Sequence, residues 1–112
     1  MTVEELVAAL GLEVFSPGEM SQAVTGGYAS DLLSCVMAKA QSGNIWVTLQ
    51  AHPNVVAVAS LLNLSAVVVT EEVMPDRETV ERAQENRLSL LGASQTTFTV
   101  VGRLSALGVA GG

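Results

Sequence analysis

Three short runs constrain this chain more than any other feature: Ile45-Trp46-Val47-Thr48-Leu49, Ala66-Val67-Val68-Val69 and Leu88-Ser89-Leu90-Leu91. The first two are apolar nearly throughout without the alternation of a half-buried strand, so they predict strands covered on both faces, and the third is short and apolar enough for another strand. Helical patterns separate them. Pro53 lacks the amide proton that the first helical position cannot use, and the apolar residues at 55–62 follow it. The charge-dense stretch 71–87 predicts a surface helix started near Pro75-Asp76, with Val80 and Ala83 inward and Glu78, Glu81, Arg82 and Glu85 in water. Strand, helix, strand, helix, strand, helix is the order that parallel strands with right-handed crossovers require. The expected fold is therefore α/β, a three-layer α/β/α sandwich with a mainly parallel sheet, built as a single domain over residues 1–112.

The N-terminal half is less regular. Val3, Leu6, Val7 and Leu10 stand at helical spacing, with Thr2 and Glu5 as a capping box and Gly11 able to take the left-handed position after the helix. Residues 12–15 and 22–25 read as short strands, the second leading into a backbone turn at Gly26-Gly27. Ser30 or Asp31 can cap a helix carrying Leu32, Leu33, Val36, Met37 and Ala40, which Gly43 can end. At the other end, Phe98, Val101, Leu104 and Leu107 mark a last helix, capped by Thr96 and closed by Gly108, and residues 108–112 predict a frayed tail.

Charge and composition narrow the function. Eleven acidic against five basic residues give a net charge of −6, which repels nucleic acid and anionic membrane surfaces. The greasy region 55–69 is interrupted by Ser60, Asn63 and Ser65, and the acidic Met1-Thr2-Val3-Glu4-Glu5 does not read as a signal peptide. A single cysteine allows no internal disulfide and agrees with a cytoplasmic location. Only 14% of residues are charged, against about 25% in an average domain, so a homodimer or other homo-oligomer is expected.

Open parallel sheets bind ligands beyond the carboxyl ends of their strands. Gln50, His52 and Asn54 should arrive there after the first run, Thr70, Glu71 and Glu72 after the second, and Gln95, Thr96 and Thr97 after the third. Thr25, Gly26, Gly27 and Tyr28 are expected to join them as a lid. The helices beginning near Pro53 and Thr96 would offer free amides to a small polar or anionic ligand. His52 could donate a proton, or it could merely hydrogen-bond locally. No second histidine supports a metal, and Cys35 reads as a small buried hydrophobe. Asp31 reads as a helix cap, Trp46 as core or subunit interface, and Glu71 with Glu72 as a solvated turn. The phosphate loop GxxxxGK[ST] is absent. No catalytic residue, metal or cofactor is expected.

The stretch VTLQAHPNVVAVASLLNLSAVVVTEEVMPDRETVERAQENRLSLLGASQTTFTVVGRL, residues 47–104, resembles the DRTGG domain, and also the N-terminal, non-catalytic domain of HPr kinase/phosphorylase. The family's Asp-Arg falls near His52-Pro53 and its Thr-Gly-Gly near Thr70-Glu71-Glu72, so only the threonine is kept. Such domains occur beside nucleotide-sensing CBS modules and attached to phosphotransacetylases and kinases. The resemblance thus implies a non-catalytic regulatory module that binds a small polar or anionic ligand, a nucleotide included, or a protein partner. The alternatives are an assembly subunit without a small-molecule ligand and a phosphotransfer-related enzyme.

Overall fold

In the computed structural model, which describes residues 1–111, five strands make one sheet in the order β1-β5-β4-β3-β2. They are β1 (Glu13–Ser16), β2 (Gly26–Ala29), β3 (Asn44–Thr48), β4 (Ala66–Val69) and β5 (Ser89–Gly92). β2 to β5 run parallel, and β1 closes one edge antiparallel to β5. Every residue of β3, β4 and β5 is buried, which is why their sequences do not alternate.

The connecting helices α2 (Leu33–Lys39), α3 (Asn54–Leu61) and α4 (Arg77–Glu85) cover one face, where Trp46, Val67, Val69 and Leu90 meet Val36, Val56, Ala59 and Ala83. α1 (Val3–Leu10) and α5 (Thr97–Ala106) cover the other, where Ile45, Val47, Val68 and Leu91 meet Leu6, Leu10, Val100 and Leu104. Neighbouring residues of one strand thus enter opposite cores, as the pleat demands. The result is the expected three-layer sandwich. Among the described residues no helix is long and apolar enough to cross a membrane.

Local signals explain the helix ends. Thr2 and Glu5 form the capping box, with the Glu5 amide donating to Thr2 Oγ1 at 3.2 Å and the Thr2 amide to Glu5 Oε1 at 2.9 Å, and Gly11 follows α1 at φ 66°. Thr96 Oγ1 caps α5 by accepting from the Thr99 amide at 3.2 Å.

Six expectations need correction. Gly26-Gly27 is not a turn, since neither residue takes positive φ and both belong to β2, paired with Asn44 and Ile45. The strand expected at 22–25 accordingly starts four residues later, and of those residues only Ala23 makes an isolated bridge, to Thr2. Asp31 does not cap α2. Ser30 Oγ accepts the Leu32 amide there, while the Asp31 carboxylate turns to β3. Gly43 does not end α2 either: the helix stops at an extended Ala40, and Gly43, at φ 84°, makes the turn into β3.

Phe98 is 90% exposed rather than inward. In Phe98-Thr99-Val100-Val101 two apolar registers overlap, and Val100 with Leu104 wins the sheet, leaving Phe98 outside. Finally, the tail is held up to residue 111. The Val109 amide donates to the Leu104 carbonyl at 3.1 Å and the Gly27 amide to the Ala110 carbonyl at 2.9 Å, so this segment runs along β2. Gly112, the rest of the expected frayed tail, lies outside the described residues.

Candidate functional site

β2 to β5 end together at Ala29, Thr48, Val69 and Gly92, and the loops that follow share one edge of the sheet. Two of the expected segments meet closely. Thr70 is fully buried and its hydroxyl lies 2.6 Å from that of Thr97, while its amide donates to the Thr48 carbonyl at 3.0 Å. Glu71 and Glu72 both hold left-handed backbone at φ 60°, and their amides donate to the carbonyls of Gln95 and Ala93. The Glu71 carboxylate accepts from the Thr97 amide at 3.2 Å. The Gln95 side chain accepts from Arg103 at 3.0 Å, and the same guanidinium donates to the Ala9 carbonyl at the end of α1.

Gln50 joins this group through Thr48, whose hydroxyl accepts the Gln50 amide at 3.0 Å. Its side chain also donates to the Asp31 carbonyl at 3.0 Å. Asp31 and Thr48 are thus part of the edge too, on the loops 25–31 and 48–54 expected to arrive there, although the sequence did not show that the two bond to each other. One Asp31 oxygen accepts from the Thr48 hydroxyl at 2.8 Å and from the Leu49 amide at 2.7 Å. The signal was hidden because an aspartate before an apolar run reads as a helix cap.

His52 stays apart. Its Nδ1 accepts the Asn54 amide at 3.3 Å, the local bond of an exposed loop histidine, and Asn54 is the exposed first residue of α3. Thr25, Gly26 and Gly27 do not come to this edge at all. Thr25 donates to the Ser42 carbonyl beside the start of β3, at the amino end of the sheet, and Tyr28 pairs with Trp46 in mid-strand, so no lid forms from them.

The helix starts also differ from expectation. At α3 the Asn54 and Val55 amides are taken by His52 Nδ1 and the His52 carbonyl, and at α5 the Thr97 and Thr99 amides by Glu71 and Thr96. A ligand here must rely on side chains and loop backbone instead. Space for one exists in a cleft of about 350 Å³ at the carboxyl end of β5, lined by Glu72, Val73, Met74, Gly92, Ala93 and Ser94 and walled by Gly11, Glu13 and Phe15. That volume falls within the usual range for small-molecule sites. Among the described residues no three His, Cys, Asp or Glu side chains gather as a metal site would require.

No protein-family model matches this sequence, and no curated protein matches it. A solved structure does match in shape: the CBS and DRTGG domains of the regulatory region of Clostridium perfringens pyrophosphatase, complexed with the activator diadenosine tetraphosphate. The TM-score is 0.75 at 17% identity, and the match covers 92% of this chain but 45% of the other, so the chain spans less than half of that structure's length. With its parallel sheet and two helical layers, the chain is, by fold, a DRTGG-like α/β domain.

Proposed function

We propose that this protein is a non-catalytic regulatory module that binds a small polar or anionic ligand, a nucleotide above all, at the carboxyl edge of its sheet. The observation that carries this is the fold shared with a regulatory region that was crystallised with a nucleotide activator. The cleft beside Glu72 and Gly92 and the loops carrying Gln50, Thr70, Glu71, Gln95, Thr96 and Thr97 supply room and hydrogen-bonding groups there. Glu71 and Glu72 repel a bare phosphate chain, so the contacts favour the base edge and ribose hydroxyls of a nucleotide. On this reading the protein acts in the cytoplasm as a homodimer and transfers no phosphate.

Thermal unfolding with adenosine, AMP, ATP and diadenosine tetraphosphate in turn tests it. A ligand at a hundred times its dissociation constant adds about 2.7 kcal/mol, a rise of roughly 8 °C or more for a domain of this size. Gly92→Ala, whose added methyl intrudes on the wall of the cleft, should reduce that rise. No shift with any of the four at millimolar concentration would remove the ligand from the proposal.

A further inference from the structure

Phe98 stands on the first turn of α5 with its ring almost wholly in water, and the same face of the helix continues through Val101, Gly102 and Ser105. One side of that face borders a groove of about 410 Å³ between α5 and β2, lined by Tyr28, Val47, Leu104, Ser105 and Val109. We infer that this face is where a second copy of the chain docks, two α5 helices crossing antiparallel at Gly102 so that each Phe98 enters the other copy's groove. The proposal makes specific the self-association named above and does not depend on the ligand.

Three observations select a second copy as the occupant. First, the knob and the hole lie on one helix: Phe98 and Ser105 are seven residues apart, about 10 Å along the axis. A two-fold axis through Val101-Gly102 therefore fills both grooves at once, the self-complementary arrangement that isologous dimers need. Second, the charges permit it. The chain carries −6 overall, yet all eleven acidic residues lie before residue 86 and none lines the groove. Arg103, the one charge on α5, is held by Gln95 and the carbonyls of Ala9 and Leu10. No carboxylate therefore meets Phe98 inside the groove, whereas the exposed Leu61 on α3 stands beside the acidic α4. Third, one side chain supplies a large share of the area needed. Phe98 alone offers on the order of 200 Å², about a quarter of the ~800 Å² that a standard interface takes from each partner. Gly102 adds close approach, since nothing stands within 4 Å of where its Cβ would be.

Light scattering and sedimentation from about 1 to about 500 μM, on wild type, Phe98→Ser and Leu61→Ser, test this directly. Wild type and Leu61→Ser should dimerise alike, and Phe98→Ser should raise the dissociation constant at least tenfold with unchanged circular dichroism. Gly102→Cys in a Cys35→Ser background should oxidise to a covalent dimer. A wild-type monomer throughout would overturn both the self-association and the surface. A dimer indifferent to Phe98→Ser, or one broken by Leu61→Ser, would leave self-association standing and overturn the surface alone. Nucleotide thermal shifts, read on the same proteins, judge the ligand independently of either result.

Discussion

The Glu71 carboxylate accepts the Thr97 backbone amide across 26 residues of chain, and it does so from a backbone held at φ 60°. The bond ties the turn after β4 to the start of α5 and puts negative charge where the helix dipole favours it. Its neighbour Glu72 shares the left-handed conformation but makes no side-chain hydrogen bond among the described residues. Both positions hold backbone of the shape that glycine adopts most easily.

Glycine should therefore act differently at the two positions. Glu72→Gly relieves a left-handed residue and is expected to raise stability by up to about 1 kcal/mol. Glu71→Gly gains the same relief but loses the carboxylate at the helix start, about 0.3–1 kcal/mol, and should come out near neutral. Urea denaturation of both variants decides it, and equal effects would mean that the Thr97 bond contributes nothing.

Asp31 fastens the carboxyl end of β3 by accepting from the Thr48 hydroxyl and the Leu49 amide. Asp31→Ala leaves both donors without this partner and should cost about 1–3 kcal/mol. Asp31→Asn keeps an oxygen in place and should cost less. Were Asp31 a helix cap, the loss would appear as fraying of α2 in amide exchange; the structure instead predicts faster exchange at Leu49, with α2 unchanged.

Most of the sheet was legible because continuous β-branched runs such as Ala66–Val69 have few other uses in a chain of this size. Local caps were legible for the same reason that they work: Thr2 with Glu5, and Thr96 with Thr99, act within one turn. What the sequence concealed was tertiary. Gly26-Gly27 looks like a turn, yet a Cβ at Gly27 would lie 3.3 Å from Val109, so here glycine admits the returning tail. Only the folded chain decides that Val100 rather than Phe98 faces the sheet. At the carboxyl edge Thr70, Glu71, Gln95 and Thr97 were brought together as parallel topology requires, while the partner of Asp31 is a residue 17 positions away that no spacing rule reaches.

Glu5 gives the fold a pH dependence. The Thr2 backbone amide first, and then the Thr2 hydroxyl, hold its carboxyl below the usual 4.5. A carboxyl lowered in the folded state stabilises above its unfolded value, and that contribution disappears as pH falls through the lowered folded value. Wild type should thus exceed Glu5→Gln in melting temperature near neutral pH, with the gap closing in acid below about 4.5. A gap that stays constant down to about pH 2 would show that the charged capping box adds nothing.

Gly92 ends β5 with the Phe15 ring of β1 folded over it, and a Cβ there would stand 2.5 Å from the ring's Cε2. Gly92→Ala must push the ring off its seat against the buried core, and overpacking of this kind costs about 1–3 kcal/mol. Because the clash is with one side chain, shortening that side chain should relieve it. Phe15→Leu in the Gly92→Ala background should be less destabilised than the two single variants added together, by more than the ~0.5 kcal/mol within which independent sites add. The ring and the glycine also wall the cleft beside Glu72, so a ligand bound there should lose affinity in Gly92→Ala and recover part of it in the double variant. Additive stabilities would place the strain in the backbone of β5 instead, and an unchanged affinity in all three variants would move the ligand out of this cleft.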